Sequence, residues 1–226
     1  MSRGSEQRQV TVDRLTRAAR VALGSGRALD DGLIADICEQ NGVDPKAFRR
    51  FFATDDELLD AVNEQLVHDC VSRLRSAVDA FDAIHVVEPE DRGEVGGAAD
   101  AATALEVAAR MLADSWPLDR GGLIIRAQRR LQALTSQGGD GDAAAAAERS
   151  FVERLVPVFE DLMAKLDRRF TWSSTLAVRV VVDTYERSFE SWLLMGNREE
   201  DFDASPYATR TLPVLLRGTS EPLPPA

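Results

Sequence analysis

Lys46, Arg49 and Arg50 lie within five positions of one another, interleaved with Ala47, Phe48 and Phe51. Six arginines (Arg3, Arg8, Arg14, Arg17, Arg20 and Arg27) fall in the first 27 residues, opposed there by Glu6 and Asp13. Such side chains bind phosphate, guanidinium through paired N–H donors and ammonium as a point charge. The rest of the chain carries the opposite sign. The 226 residues hold 27 Lys+Arg and 38 Asp+Glu, a formal charge of −11, yet residues 1–53 hold nine basic and seven acidic groups. That balance excludes a protein that coats nucleic acid with a basic surface. It leaves room for a polyanion met at one end only.

Other chemistries lack their parts. His68-Asp69 has the form of a metal-ligand pair, but His85 is the one further histidine, too few for a helical metal phosphohydrolase. Gly24-Ser25-Gly26 begins a G-x-G, but Leu29 stands at the third glycine position and no strand precedes it, so a dinucleotide loop is not expected. Asp140 and Asp142 lack the spacing of a calcium loop. With no Walker loop, HExxH or GxSxG, the expectation is a non-enzyme without cofactor or metal. Two cysteines make neither a disulfide framework nor a zinc site. Cys38 reads as a buried structural thiol and Cys70 as one that can be exposed. No apolar run approaches the ~18 residues of a membrane span, and no signal peptide follows Met1. A cytoplasmic protein without membrane contact is expected.

The elements that must position the basic residues read as helices throughout. Val12, Leu15, Ala19, Ala22 and Leu23 share one helical face, ended by Gly24-Ser25-Gly26. A second helix spans about Leu33 to Gln40, capped by Asp30 or Asp31 and broken by Asn41-Gly42. Asp44 and Pro45 open a third that reaches about Phe51. Thr54-Asp55-Asp56-Glu57 forms a capping box for a long fourth helix. After a Pro-, Gly- and acid-rich break at residues 85–97, helices are expected over 100–115, 119–134, 143–167, 174–195 and 205–217. A corner falls at Trp116-Pro117 and a flexible loop at residues 136–141; Pro157 and Pro213 are expected to kink their helices. The second and third helices have helix-turn-helix spacing, and a short helix with a free N-terminus fits a DNA major groove.

The stretch LIADICEQNGVDPKAFRRFFATDDELLDAV, residues 33–62, resembles the DNA-binding domain of the TetR family of bacterial transcriptional regulators. Ile37, Gly42, Val43, Phe52 and Leu58 fall on positions of the family pattern I-A-x-x-A-G-V-S-x-x-T-L-Y-x-H-F-x-x-K-E-x-L, and Phe48 takes its apolar leucine position. The motif covers residues 10–62, and the remainder matches as a pattern of helices and length. The resemblance implies an all-α protein of about nine helices. An N-terminal three-helix DNA-binding domain (1–53) would precede a larger ligand-binding and dimerisation domain (54–218) and a disordered tail (219–226). It further implies a homodimer formed through residues 174–195 and 205–217, on a strip of Val178, Val181, Val182, Tyr185, Phe189 and Leu193 joined by Leu212, Leu215 and Leu216. Such a dimer would hold a palindromic operator in double-stranded DNA and release it when a small apolar or amphipathic effector binds. By position, the DNA-facing residues are Arg3, Arg8, Gly32, Asp44, Lys46, Ala47, Arg49, Arg50 and Phe51. The effector cavity draws on Met111, Trp116, Arg126, Phe151, Phe159, Met163, Tyr185 and Phe189.

Several positions depart from the family. Gly32 replaces a Thr or Ser, Ala47 a threonine, Arg49 a phosphate-contacting tyrosine, Phe51 a histidine, and Asp55 a lysine that meets phosphate. An acid at a phosphate-facing position repels the backbone, and Arg49 is placed to compensate. The alternative expectation is therefore a helical ligand-binding or interaction protein of the same fold with weakened or lost DNA binding.

Overall fold

Alanine, leucine, glutamate and arginine favour helix along most of the chain. The computed structural model describes residues 3–81, 97–135 and 139–224 and is all-α. Its described helices are α1 (Arg3–Gly24), α2 (Asp31–Asn41), α3 (Pro45–Phe51), α4 (Asp55–Ala80), α5 (Gly97–Ser115), α6 (Arg120–Thr135), α7 (Gly139–Lys165), α8 (Ser174–Leu194) and α9 (Pro206–Thr219). A 3-10 turn covers Glu199–Asp201, and two short strands, β1 (Arg168–Phe170) and β2 (Ser220–Pro222), pair antiparallel. The chain divides into two compact units, residues 1–68 with 119–145 and residues 69–118 with 146–226. This division differs from the expected one at residue 53. It passes within α4, and it assigns α6 to the first unit because Ile125 completes that unit's core.

The first unit is built on Leu15, Ala19 and Leu23 of α1, Leu33, Ile34 and Ile37 of α2, Phe48 of α3 and Leu58, Val62 and Leu66 of α4. The end of α1 crosses the start of α6 at two glycines. A Cβ on Gly24 would stand 2.8 Å from the Gly121 Cα, and one on Gly121 would stand 3.0 Å from the Gly24 Cα. Backbone meets backbone there, so no side chain can yield. Arg20 of α1 reinforces the crossing with an ion pair to Asp119 at 3.2 Å, and the Asp119 carboxylate also accepts the Gly122 N–H in the first turn of α6.

In the second unit α9 lies against α5 and α8. Val178, Val181, Val182, Tyr185 and Phe189 of α8 are buried in this unit's own core, with Leu212 and Leu216 of α9. The strip expected to meet a partner subunit is therefore largely interior, because α8 turns its most continuous apolar face inward. Leu176 and Val214, 49% and 65% exposed, mark the outer faces of the same two helices.

Other expectations also change. Residues 220–222 are ordered as β2: Arg168 donates from Nε to the Ser220 hydroxyl at 2.8 Å and from its terminal nitrogen to the Ser220 carbonyl at 2.7 Å. The Leu223 N–H donates to the Asp167 carbonyl, and Thr171 donates to that of Thr219. Three-residue strands leave no alternation to read in a sequence. Gly139, Asp140 and Gly141, expected in a loop, begin α7, while residues 136–138 lie outside the described residues. So do residues 85–96 of the expected break. Cys70 is buried like Cys38, because it points inward from α4.

Three outcomes follow from this packing. Gly24→Ala is expected to destabilise the protein by about 1–3 kcal/mol in urea unfolding. Gly218→Ala, where nothing lies within 4 Å, is expected to be neutral or slightly stabilising. Arg168→Ala is expected to speed hydrogen exchange at the Thr171 and Leu223 amides while leaving the middle of α8 unchanged.

Candidate functional site

Two helices of 11 and 7 residues, joined by a tight turn, present the basic cluster. The Asp30 carboxylate accepts the Leu33 N–H at 2.7 Å and so starts α2. Gly42 ends it in the left-handed region, φ 62°, which a residue without a Cβ adopts freely. Val43 N–H then donates to the Cys38 carbonyl at 2.9 Å. Asp44 caps α3, its carboxylate accepting the Lys46 and Ala47 N–H groups at 2.8 and 3.4 Å, with Pro45 where no donor is needed.

One side of α3 enters the core. Phe48 is fully buried, and its ring lies 5.3 Å from that of Phe52. Burying a phenylalanine is worth roughly 1.5–3 kcal/mol, the main restraint on so short a helix. The opposite side is open: Lys46 and Arg50 are exposed, and Ala47 and Phe51 are half-buried. Arg8 of α1 reaches α3 twice, donating to the Arg50 carbonyl at 3.3 Å and standing over the Phe51 ring at 5.9 Å. Arg14 donates to the Asn41 carbonyl at the end of α2. The Arg3 side chain lies outside the described residues.

Arg49 is placed differently from the expectation of a free phosphate contact. Its guanidinium meets the Asp55 carboxylate at 2.8 Å and that of Asp31 at 3.7 Å. It thus ties the first turns of α2 and α4 to α3. Gly32 is exposed on the first turn of α2, and a Cβ there would stand 3.3 Å from the Asp30 carboxylate that caps the helix. The capping box forms on Thr54 as expected, its hydroxyl accepting the Glu57 N–H, while the Glu57 carboxylate accepts the N–H of Ala53, one residue before the cap. The Cys38 thiol, under this turn, has its pKa pushed up, first by burial and then by Asp44. Burial and that shift both disfavour the thiolate. Sequence reading missed the bracing role of Arg14 and of Asp31. Their spacing to Asn41 and Arg49 has meaning only once the helices are folded together.

The expected effector residues divide between the units. Arg126 lies on α6 in the first unit, and its side chain is buried there. Met111, Trp116, Phe151, Phe159, Met163, Tyr185 and Phe189 belong to the second, all buried except the half-buried Met111. Three of them touch ring to ring, and Phe202 joins Phe189 to the set. Trp116 stands 6.1 Å from Phe159 and 5.0 Å from Tyr185, and Phe202 lies 5.5 Å from Tyr185 and 4.9 Å from Phe189. Phe202 was not among the expected residues. It follows the acidic turn Glu199–Asp201, and an aromatic set within Glu-Glu-Asp-Phe-Asp was its only signal.

Beside Phe202 is a surface pocket of about 300 Å3 lined by Leu118, Phe189, Glu199, Glu200, Phe202 and Asp203. The Asp203 carboxyl is raised above its usual range, by burial first and by Asp114 next, against the opposing pull of Arg73. The Tyr185 hydroxyl is raised far above its usual range by burial, then by Asp203 and Asp114. That hydroxyl is buried without a hydrogen-bond partner. Among the described residues no cluster of His, Cys, Asp and Glu is arranged to hold a metal, and no helix is long and apolar enough to cross a membrane.

No protein-family profile matches the chain, and no curated protein does either. Among solved structures, the fold is similar to the crystal structure of a transcriptional regulator from Rhodococcus sp. Rha1, at a TM-score of 0.53 and 16% identity, over 92% of this chain and 97% of that one. At that identity the likeness establishes a shared all-α fold.

Proposed function

We propose that the protein is a TetR-like transcriptional regulator that binds double-stranded DNA through α3. The observation that carries this reading is the mounting of α3. Phe48 anchors one side in the core, while Lys46 in the first turn and Arg50 in the last are exposed on the other. On this reading Lys46 and Arg50 meet phosphates or base edges in the major groove. Arg8 supports the helix from α1, lying over the Phe51 ring, and Arg49 sets its angle instead of contacting DNA. The protein acts in the cytoplasm as a repressor and performs no catalytic step. The outer faces of α8 and α9, carrying Leu176 and Val214, pair two subunits within residues 174–195 and 205–217. The pairing spaces two copies of α3 about 34 Å apart for a palindromic operator. A small apolar or amphipathic effector taken up by the second unit favours a spacing that does not fit DNA. A coupling of about 1–3 kcal/mol is enough.

A second reading has its own observation. The Arg49 charge is neutralised by Asp55 and Asp31, and Asp56 lies next to them. A collar of carboxylates around α3 is what a fold that has left DNA behind would show.

Selection of bound fragments from random duplex DNA separates the two. The regulator reading expects enrichment of a palindrome, with affinity falling steeply as salt rises. Lys46→Ala and Arg50→Ala are expected to lower the log–log salt slope by about 0.9 for each phosphate contact removed. Asp55→Asn is expected to tighten binding severalfold. Absence of enrichment in both the wild-type chain and Asp55→Asn would leave the second reading standing.

A further inference from the structure

Helix α9 carries two arginines and no acidic residue. Arg210 and Arg217 stand seven positions apart, so two turns bring them to one face, with Pro213 and Val214 between. Within the second unit α9 packs against α5, and a groove of about 310 Å3 opens between the two helices. Arg110 of α5 completes a set of three guanidiniums around it, and Glu106, one turn earlier, is the one carboxylate in the lining. All four charged residues are exposed, and Val214 is 65% exposed. The groove therefore offers an apolar contact beside its charge. Among the described residues, no ion pair or hydrogen bond takes up the Arg110, Arg210 or Arg217 side chain. That is unusual in a chain with 38 acids and 27 bases, where Arg20, Arg27, Arg49, Arg169 and Arg187 each hold a carboxylate. The unbalanced charge reaches Arg168, whose pKa is held below its ordinary value by burial first and by Arg217 next.

A second observation is independent of the arginines. Pro213 has no N–H, so it cannot donate to the Thr209 carbonyl one turn before it, and both residues line the groove. A helical acceptor short of its donor thus lies beside guanidiniums short of an acceptor. We propose that this groove binds a small organic oxyanion that also carries a hydroxyl or N–H. Arg110, Arg210 and Arg217 hold the anionic group, the Thr209 carbonyl accepts the donor, and Val214 meets the apolar part. Guanidinium groups match the planar oxygens of a carboxylate and the oxygens of a phosphate ester with paired N–H donors. A volume at the lower end of the range for small-molecule sites suits a ligand of one ring or a short chain. Binding rests on the groove alone; only the further step, that the anion is the effector that releases DNA, rests on the regulator reading.

The test is calorimetric titration of the full chain, without DNA, using mandelate, phenylacetate, phenyl phosphate and 1-phenyl-1,2-ethanediol, which share a ring and differ in charge and hydroxyl. Mandelate is expected to bind at least about tenfold tighter than the neutral diol and severalfold tighter than phenylacetate, which lacks the hydroxyl. Phenylacetate and phenyl phosphate both lack that hydroxyl, so their order tells a carboxylate site from a phosphate-ester site. Arg210→Gln and Arg217→Gln, at exposed positions, are each expected to weaken mandelate about tenfold. Glu106→Gln removes the one opposing charge and is expected to tighten it severalfold, a change of sign that a loss of folding would not produce. Equal affinity for mandelate and the diol, or mandelate affinity unchanged in both arginine variants, would overturn the site. So would the absence of all binding, the result expected if a second copy paired through Val214 covers the groove. Adding mandelate to a DNA complex then tests the effector step separately: binding without DNA release would remove that step and leave the site intact.

Discussion

A helix of seven residues does not hold itself together in water, since nucleation costs more than so few hydrogen bonds return. The functional reading depends on how α3 escapes that limit. Phe48, packed on Phe52 and the cores of α1, α2 and α4, fixes one face of the helix. Asp44 satisfies two N–H groups at its start, and Arg49 ties it to Asp31 and Asp55. The exposed ion pairs contribute little stability, on the order of 0–1 kcal/mol each. Their effect is orientation: three helix ends share one guanidinium. With Phe48 and Arg49 committed inward and sideways, Lys46 and Arg50 are the cations left to face a partner.

The same commitment explains the sign of the local charge. At neutral pH a guanidinium held by two carboxylates offers little to a phosphate, and the flanking acids raise the local negative potential. A DNA-binding surface of this kind has low general affinity and leans on the few contacts that fit. This agrees with a chain whose formal charge is −11. The second unit also collects negative charge. Rings fill the interior around Tyr185, and carboxylates collect where Phe202 approaches the surface.

The sequence disclosed most of what local chemistry controls. The caps at Asp30 and Asp44, the glycine at position 42 and the apolar faces of α1, α2 and α4 are each a residue type acting on its neighbours, and the helices formed where those residues stand. What it hid depends on segments far apart in the chain. The Gly24–Gly121 crossing joins residues 97 positions apart, and the Arg168–Ser220 bonds span 52, so neither leaves a periodic trace. The apolar strip of α8 was visible, but a strip shows only that a face is buried and not what covers it. The core took that face, and less apolar surface remained for a partner. Arg49 is the same lesson at the site: its type suggested phosphate, and its folded neighbours are carboxylates.

The central claim is that α3 is the surface that meets DNA. Hydrogen exchange of the full chain, with and without the duplex it enriches, tests this directly. The account predicts slower exchange at the amides of residues 46–51 and at the first turns of α1 when DNA is added, with the Asp44-capped N–H groups among the most protected. Unchanged exchange across α3, with protection appearing elsewhere or nowhere, would contradict it.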